Sequence, residues 1–170
     1  MKEHSMTDRI RPTEPLRSEH RDLLPRIEAL DAAAFDLAHS SAIDAEHQLR
    51  DLVTFLREHL LPHARAEEVV LYPAIEQAMG APDATATMRA DHTEIVARID
   101  RLAHTIDEIP AQWPDESLAQ DVARKLVGLA AILALHFHKE EEVLLPVLDQ
   151  KLSLAQAQDL FDQMREMAHQ

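Results

Sequence analysis

Residues 59–73 read HLLPHARAEEVVLYP, and residues 136–146 read HFHKEEEVLLP. His63, Glu67 and Pro73 of the first stretch return as His136, Glu140 and Pro146 in the second, each 73 positions later. His20, in SEHRDL, returns 72 positions on as His92, in ADHTEI. The order His, then His-x-x-x-Glu, therefore runs through the chain twice. An internal repeat of that period constrains the architecture before individual elements are assigned.

Around these positions the apolar residues recur every three or four, the period of a helix with one buried face. The first helix is predicted from about Thr13 to Ala38, with Leu16, His20, Leu24, Ile27 and Leu30 inward and a bend at Pro25. The second begins near Ile43 and carries Leu49, Leu52, Leu56, His59, His63, Glu67 and Val70 on one stripe, with Pro62 placed to disturb the backbone. It ends at GAPDAT, where Gly80 suits a helix C-terminus. The third starts near Asp83 or Thr85 and carries Met88, His92, Ile95, Ile99, Leu102 and Ile106. After IPAQWPDES the fourth runs from about Glu116, with Leu118, Val122, Leu129, Leu133, His136, Glu140, Val143 and Val147 inward. Short connections between four helices predict an all-α, up-down-up-down four-helix bundle whose two halves are related by a pseudo-twofold axis. Ser153 and Gln156 form a capping-box pattern, and Leu154, Ala157, Leu160, Phe161 and Met164 predict a short C-terminal fifth helix. The expected organisation is a frayed 1–12, a bundle over 13–150 and a capping helix over 151–170.

Composition agrees with this class. The 170 residues suit one domain, and 46% hydrophobic content can fill a core. Two glycines, few aromatics and abundant Ala, Leu, Glu and Gln favour helix over strand. The absence of cysteine excludes disulfides and thiolate-held metal or iron–sulfur clusters, so any redox chemistry has to use nitrogen and oxygen ligands. A formal charge of −14 with scattered Lys and Arg argues against nucleic acid as a partner. No apolar run reaches membrane-spanning length and no signal-peptide core follows the N-terminus, so no membrane association and a cytoplasmic location are expected.

A His four residues before a Glu sets both on one helix face about one turn apart. Each half of the repeat supplies such a pair and one further His, giving His20, His63, Glu67, His92, His136 and Glu140, all predicted to point inward. One buried His or Glu alone reads as a satisfied core group. Six in register would leave a set of polar groups costing a few kcal/mol for each one unpaired, and more if charged. Two divalent cations satisfy them. Four imidazoles and two carboxylates without thiolate suit iron or manganese better than a closed four-coordinate zinc site, and iron is favoured. His138, two residues from His136, is expected in solvent; Met164 and Met167 are read as packing, and Tyr72 as a wall residue and not a ligand. His4, His39, His47 and His169 lie outside the stripe.

The ordered pattern His20, His63-x-x-x-Glu67, His92, His136-x-x-x-Glu140, with EEVVLYP and EEVLLP trailing the two Glu, resembles the hemerythrin-like (HHE) cation-binding domains from about Leu16 to Val147. The resemblance implies a non-haem diiron centre bridged by Glu67, Glu140 and an oxo or hydroxo group, with His20, His63, His92 and His136 as terminal ligands. It implies a protein that reacts with or senses dioxygen, peroxide or nitric oxide, in oxidative or nitrosative stress. Catalase-like or other turnover is left open. The alternative is an iron sensor or store, or a metal-dependent interaction protein without turnover. The family's oxygen carriers have a second His one turn after the third-helix His and a more widely spaced Asp in the last motif, where this chain has Val96 and Glu140. The likeness to the iron–sulfur repair members is confined to their metal domain, without their cysteine-bearing segment. An open iron position near Val96 is therefore expected, with His59 tuning it from one turn before His63. A ferritin-like oxidase would want Glu-x-x-His on two helices, whereas the match here is Glu166 to His169; a zinc hydrolase would want HExxH.

Overall fold

A computed structural model of the chain describes residues 11–107 and 116–168. The described residues are helical, with no strand among them. Segment 1–10, most of the IPAQWPDES connection, His4 and His169 lie outside them.

The first helix, α1, is Glu14–Asp36 and opens with Pro15, where a missing backbone donor would be unpaired in any case. Leu16, His20, Leu23, Ile27, Leu30 and Ala33 form its buried face. Pro25 lies within it on the exposed side, and the helix runs on through that residue. The second helix, α2, spans 42–79 as α-helical segments Ala42–Phe55, Leu61–Ala66 and Tyr72–Met79 joined by π turns at Leu56–Leu60 and Glu67–Leu71. The Ser41 side chain caps its start by accepting from the Asp44 amide, and Gly80, at φ 66°, ends it in a left-handed conformation that costs glycine nothing. Helix α3 is Ala86–Asp107, and α4 spans 116–151 as Glu116–Lys139 and Leu145–Lys151 around a π turn at Glu140–Leu144. Helix α5 is Leu154–Ala168, opened by the reciprocal Ser153–Gln156 capping box that its sequence predicts. Both α1 and α3 pack against α2 and α4, closing the predicted four-helix bundle. No helix among the described residues is long and apolar enough to cross a membrane.

Each π turn stands immediately before a proline. The amides of Leu61, Tyr72 and Leu145 bond back five residues, to the carbonyls of Leu56, Glu67 and Glu140, and Pro62, Pro73 and Pro146 follow. Proline brings no N–H and its ring collides with the carbonyl four residues earlier, and one extra residue in the turn relieves the collision. The same residue shifts the phase of all that follows. Val70 is therefore half-buried and Val143 exposed, where an uninterrupted helix predicts both inward, and Leu71, Tyr72, Leu144 and Leu145 are buried instead.

The apolar interior falls into two blocks. The larger, from Leu23 to Ala33 on α1 and Leu37 just beyond it through Leu49, Leu56, Ile99, Leu126 and Leu133, fills one end of the bundle. The smaller gathers Leu16, Leu71, Ile75, Met88, Leu145 and Leu148 under Ala157, Phe161 and Met164 of α5. The buried polar residues His20, His63, Glu67, His92, His136 and Glu140 belong to neither.

Candidate metal centre

All six repeated residues converge. His20, His63, His92 and His136 are at most 5% exposed, and Glu67 and Glu140 are fully buried. The two carboxylates straddle the pairs of rings. Glu67 Oε1 lies 2.9 Å from His63 Nε2 and 3.6 Å from His20 Nε2, while its Oε2 lies 3.3 Å from His92 Nε2. Glu140 Oε2 lies 3.5 Å from His20 Nε2 and its Oε1 3.5 Å from His136 Nε2. Two groups of donor atoms, His20–His63–Glu67 and Glu67–His92–His136, are each compact enough to hold an ion and share Glu67.

Those donors also carry the unmet polar demand of the core. His20 Nε2, His63 Nε2, both oxygens of Glu67 and Glu140 Oε2 are buried without a hydrogen-bond partner, the close His63–Glu67 approach included. Orphaned imidazole nitrogens facing orphaned carboxylate oxygens fit a cation between them, since leaving such groups dry and unpaired costs several kcal/mol. The nitrogen–oxygen donor set suits a borderline or hard divalent ion, and the shared carboxylate suits two.

A seventh residue joins the ring. Tyr72 Oη donates to Glu140 Oε1 at 2.9 Å and lies 3.3 Å from Nε2 of both His92 and His136, which are themselves 2.9 Å apart. An unbroken α-helix would turn Tyr72 about 140° away from Glu67, and the π turn at Glu67–Leu71 brings it back. Tyr72 is thus part of the centre and not its wall; the signal available in the sequence was Pro73 directly after it. Val96, near which an open iron position is expected, is itself 41% exposed. His59 is exposed and stacks on Phe55, with ring centroids 5.6 Å apart, because the π turn at Leu56–Leu60 gives its inward place to Leu60. It lines a cleft of about 820 Å³, with Glu19, Asp22, Arg26 and Glu58, whose inner wall includes His63. His138 is exposed, as expected, and Met164 is packed in the smaller core block.

Each histidine has a carboxylate on its far nitrogen. His20 Nδ1 lies 2.7 Å from Glu141, His63 Nδ1 3.0 Å from Glu19, His92 Nδ1 3.1 Å from Glu68 and His136 Nδ1 3.2 Å from Asp91. With the carboxylates accepting, the protons sit on Nδ1 and every Nε2 is turned to the centre, the arrangement that orients a metal-binding imidazole. These four acids obey the repeat, Glu19 with Asp91 at 72 and Glu68 with Glu141 at 73, and each is the immediate neighbour of a predicted ligand. That adjacency was legible but unread.

The electrostatics follow from the geometry. Burial works to lower the His20 pKa, but its hydrogen bond to Glu141 and the nearby Glu67 carboxylate outweigh it and raise the value to about 9. His63 is likewise buried, and the charge of Glu67 and the bond to Glu19 carry it well above the ordinary value. Glu67 is held well below the carboxylate range despite its burial, by the charge on His63 and the imidazoles around it. Burial and the charges of Glu67 and Glu140 push the Tyr72 phenol far up, so its proton stays on Oη. Without a metal, protons occupy the centre.

The description that matches this chain is the hemerythrin HHE cation-binding domain, over residues 11–148. The chain belongs to that family. It is also similar to the iron-sulfur cluster repair protein YtfE of Enterobacter sp. (strain 638) and to its namesake in Escherichia coli K12 (DH10B), each 29% identical over 92 residues. Those residues are 53% of this chain and 41% of either relative.

Proposed function

We propose that this chain binds two iron ions between α1–α4 and uses them to react with or sense a small oxidant: dioxygen, peroxide or nitric oxide. The observation that carries this reading is the pair of fully buried carboxylates, Glu67 and Glu140, each with one oxygen toward each pair of imidazoles. His20 and His63 would hold one ion and His92 and His136 the other, with Glu67 and Glu140 between them. Iron, when bound, supplies one-electron chemistry and an inner coordination position for a small oxidant. The protein's own contribution is orientation and proton control. The four outer acids fix the Nε2 donors, the two apolar blocks exclude bulk water, and Tyr72 keeps a proton at Oη aimed at Glu140 Oε1. The cleft beside His63 is the side from which small molecules approach. The likeness to proteins named for iron–sulfur cluster repair supports iron handling.

The test is elemental analysis with the optical spectrum of protein expressed in iron-replete medium, before and after reduction, then after air, peroxide or nitric oxide. Two iron atoms per chain and a spectrum that responds to at least one oxidant are expected. One zinc, or no metal, would refute the reading.

A further inference from the structure

The repeat extends beyond the metal set. Thr13-x-x-x-Arg17-x-Glu19-His20 is matched 72 positions on by Thr85-x-x-x-Arg89-x-Asp91-His92. His63-x-x-x-Glu67-Glu68, with Glu76 eight residues on, is matched 73 positions on by His136-x-x-x-Glu140-Glu141 and Asp149. These outer residues meet in space as two related chains of contacts. In the first, Thr13 Oγ1 donates to Asp149 Oδ1 at 2.8 Å, Arg17 Nε donates to Thr13 Oγ1 at 3.1 Å, and Arg17 Nη2 donates to Asp149 Oδ2 at 3.2 Å. Arg17 Nη1 donates to the Glu141 carbonyl at 3.2 Å and also to Glu141 Oε2, leaving Oε1 for His20. In the second, Thr85 Oγ1 donates to Glu76, Arg89 Nη2 lies 3.6 Å from Glu76, and Arg89 Nη1 donates to the Glu68 carbonyl at 3.0 Å.

The two differ at one link. The Arg17 side chain is 8% exposed and reaches the Glu141 carboxylate, so both oxygens of that carboxylate are committed. The Arg89 side chain is 37% exposed, lies over the Tyr72 ring at 5.4 Å and stops at the Glu68 carbonyl. No Lys or Arg reaches the Glu68 carboxylate among the described residues, and its one partner there is His92.

We infer that Arg17 is a positioning residue for the metal held by His20 and His63, acting through Glu141, and that its repeat partner Arg89 has no such role at His92. The inference rests on the proposed metal reading of His20. Arg17 Nη1 holds one oxygen of the Glu141 carboxylate and His20 Nδ1 the other, and a carboxylate held at both oxygens keeps its imidazole in one orientation. Because Thr13 and Asp149 anchor the same guanidinium, the His20 donor is tied to the junction between the start of α1 and the end of α4. Loss of a partner outside the metal ligands typically weakens metal binding 10- to 100-fold.

The experiment titrates metal-free chain with Co²⁺, reading its ligand-field bands and helical circular dichroism, for wild type, Arg17→Met, Asp149→Asn, Glu141→Gln and Arg89→Met. Arg17→Met is expected to weaken one of two Co²⁺ sites about 10- to 100-fold with altered bands, and Arg89→Met to leave both within about threefold. Glu141→Gln, which keeps an acceptor for His20 Nδ1, should retain both ions with shifted bands at one. If Arg17→Met does not fold, Asp149→Asn carries the test, weakening the same single site by a smaller factor. Equal effects of Arg17→Met and Arg89→Met would overturn the inference, as would an Arg17→Met or Asp149→Asn protein that melts lower but binds Co²⁺ as wild type does. A wild-type chain that takes up no Co²⁺ would instead overturn the metal reading on which it stands.

Discussion

Metal has to displace protons from this centre, and that exchange can be measured. His20, with a pKa of about 9, is protonated in the folded metal-free protein at pH 7.5, and His63 is shifted in the same direction by the Glu67 charge and the bond to Glu19. Loading two Co²⁺ at that pH should therefore release about one proton or more per chain. Each displaced proton makes apparent affinity rise roughly tenfold per pH unit until the folded pKa is passed. For His20 alone, binding at pH 7.5 should be about thirtyfold weaker than well above pH 9. Stability of the metal-free protein runs the other way. His20 keeps its proton in the folded state up to about pH 9, whereas in the unfolded chain it loses it above about 6.5. Its contribution, on the order of 3 kcal/mol, is complete below about pH 6.5 and lost as pH rises through 9. Calorimetric titration in two buffers of different ionisation enthalpy counts the protons, and urea unfolding from pH 6.5 to 9 follows the stability. Fewer than one proton released at pH 7.5, or metal affinity independent of pH, would show that protons do not occupy the donor positions.

Tyr72→Phe removes a hydrogen bond to a buried carboxylate, and should cost the metal-free protein about 2 kcal/mol by chemical denaturation; unchanged stability would place the hydroxyl elsewhere. Glu67→Ala and Glu140→Ala should each lose metal while the exposed His138→Ala keeps it, by elemental analysis, and equal retention in all three would contradict the helix phase. His59→Ala, stacked on Phe55 outside the donor ring, should leave both metal content and rates with peroxide or nitric oxide unchanged.

The four helices and the convergence of the six repeated side chains were legible because each half spells out its ligands at helical spacing. His63 and Glu67 are one turn apart however the rest of α2 is phased, so a local rule sufficed. Tyr72 and His59 were misplaced for the opposite reason. Their faces depend on π turns, which arise from a collision between a proline ring and a carbonyl in the preceding turn. Hydrophobic periodicity, read at a constant 3.6 residues per turn, averages over such a turn. The four outer acids Glu19, Glu68, Asp91 and Glu141 lay beside ligands in the sequence. Side-chain reach across helices, not spacing along one, brings each to its imidazole.

The π turns make α2 and α4 jointed rods. Residues before the first joint of each helix are set in one rotational register for the larger apolar block, and those after its last joint in a second register for the block beneath α5. Glu67 and Glu140 stand at the joints. Straightening the joint into ordinary helix with no residue lost would swing Tyr72 and Ile75 by about 100°, while His63 and Glu67 stayed in place. The wide form of these turns therefore matters to the centre as residue identity does at the ligands, although the joint residues Val69 and Val143 are themselves exposed.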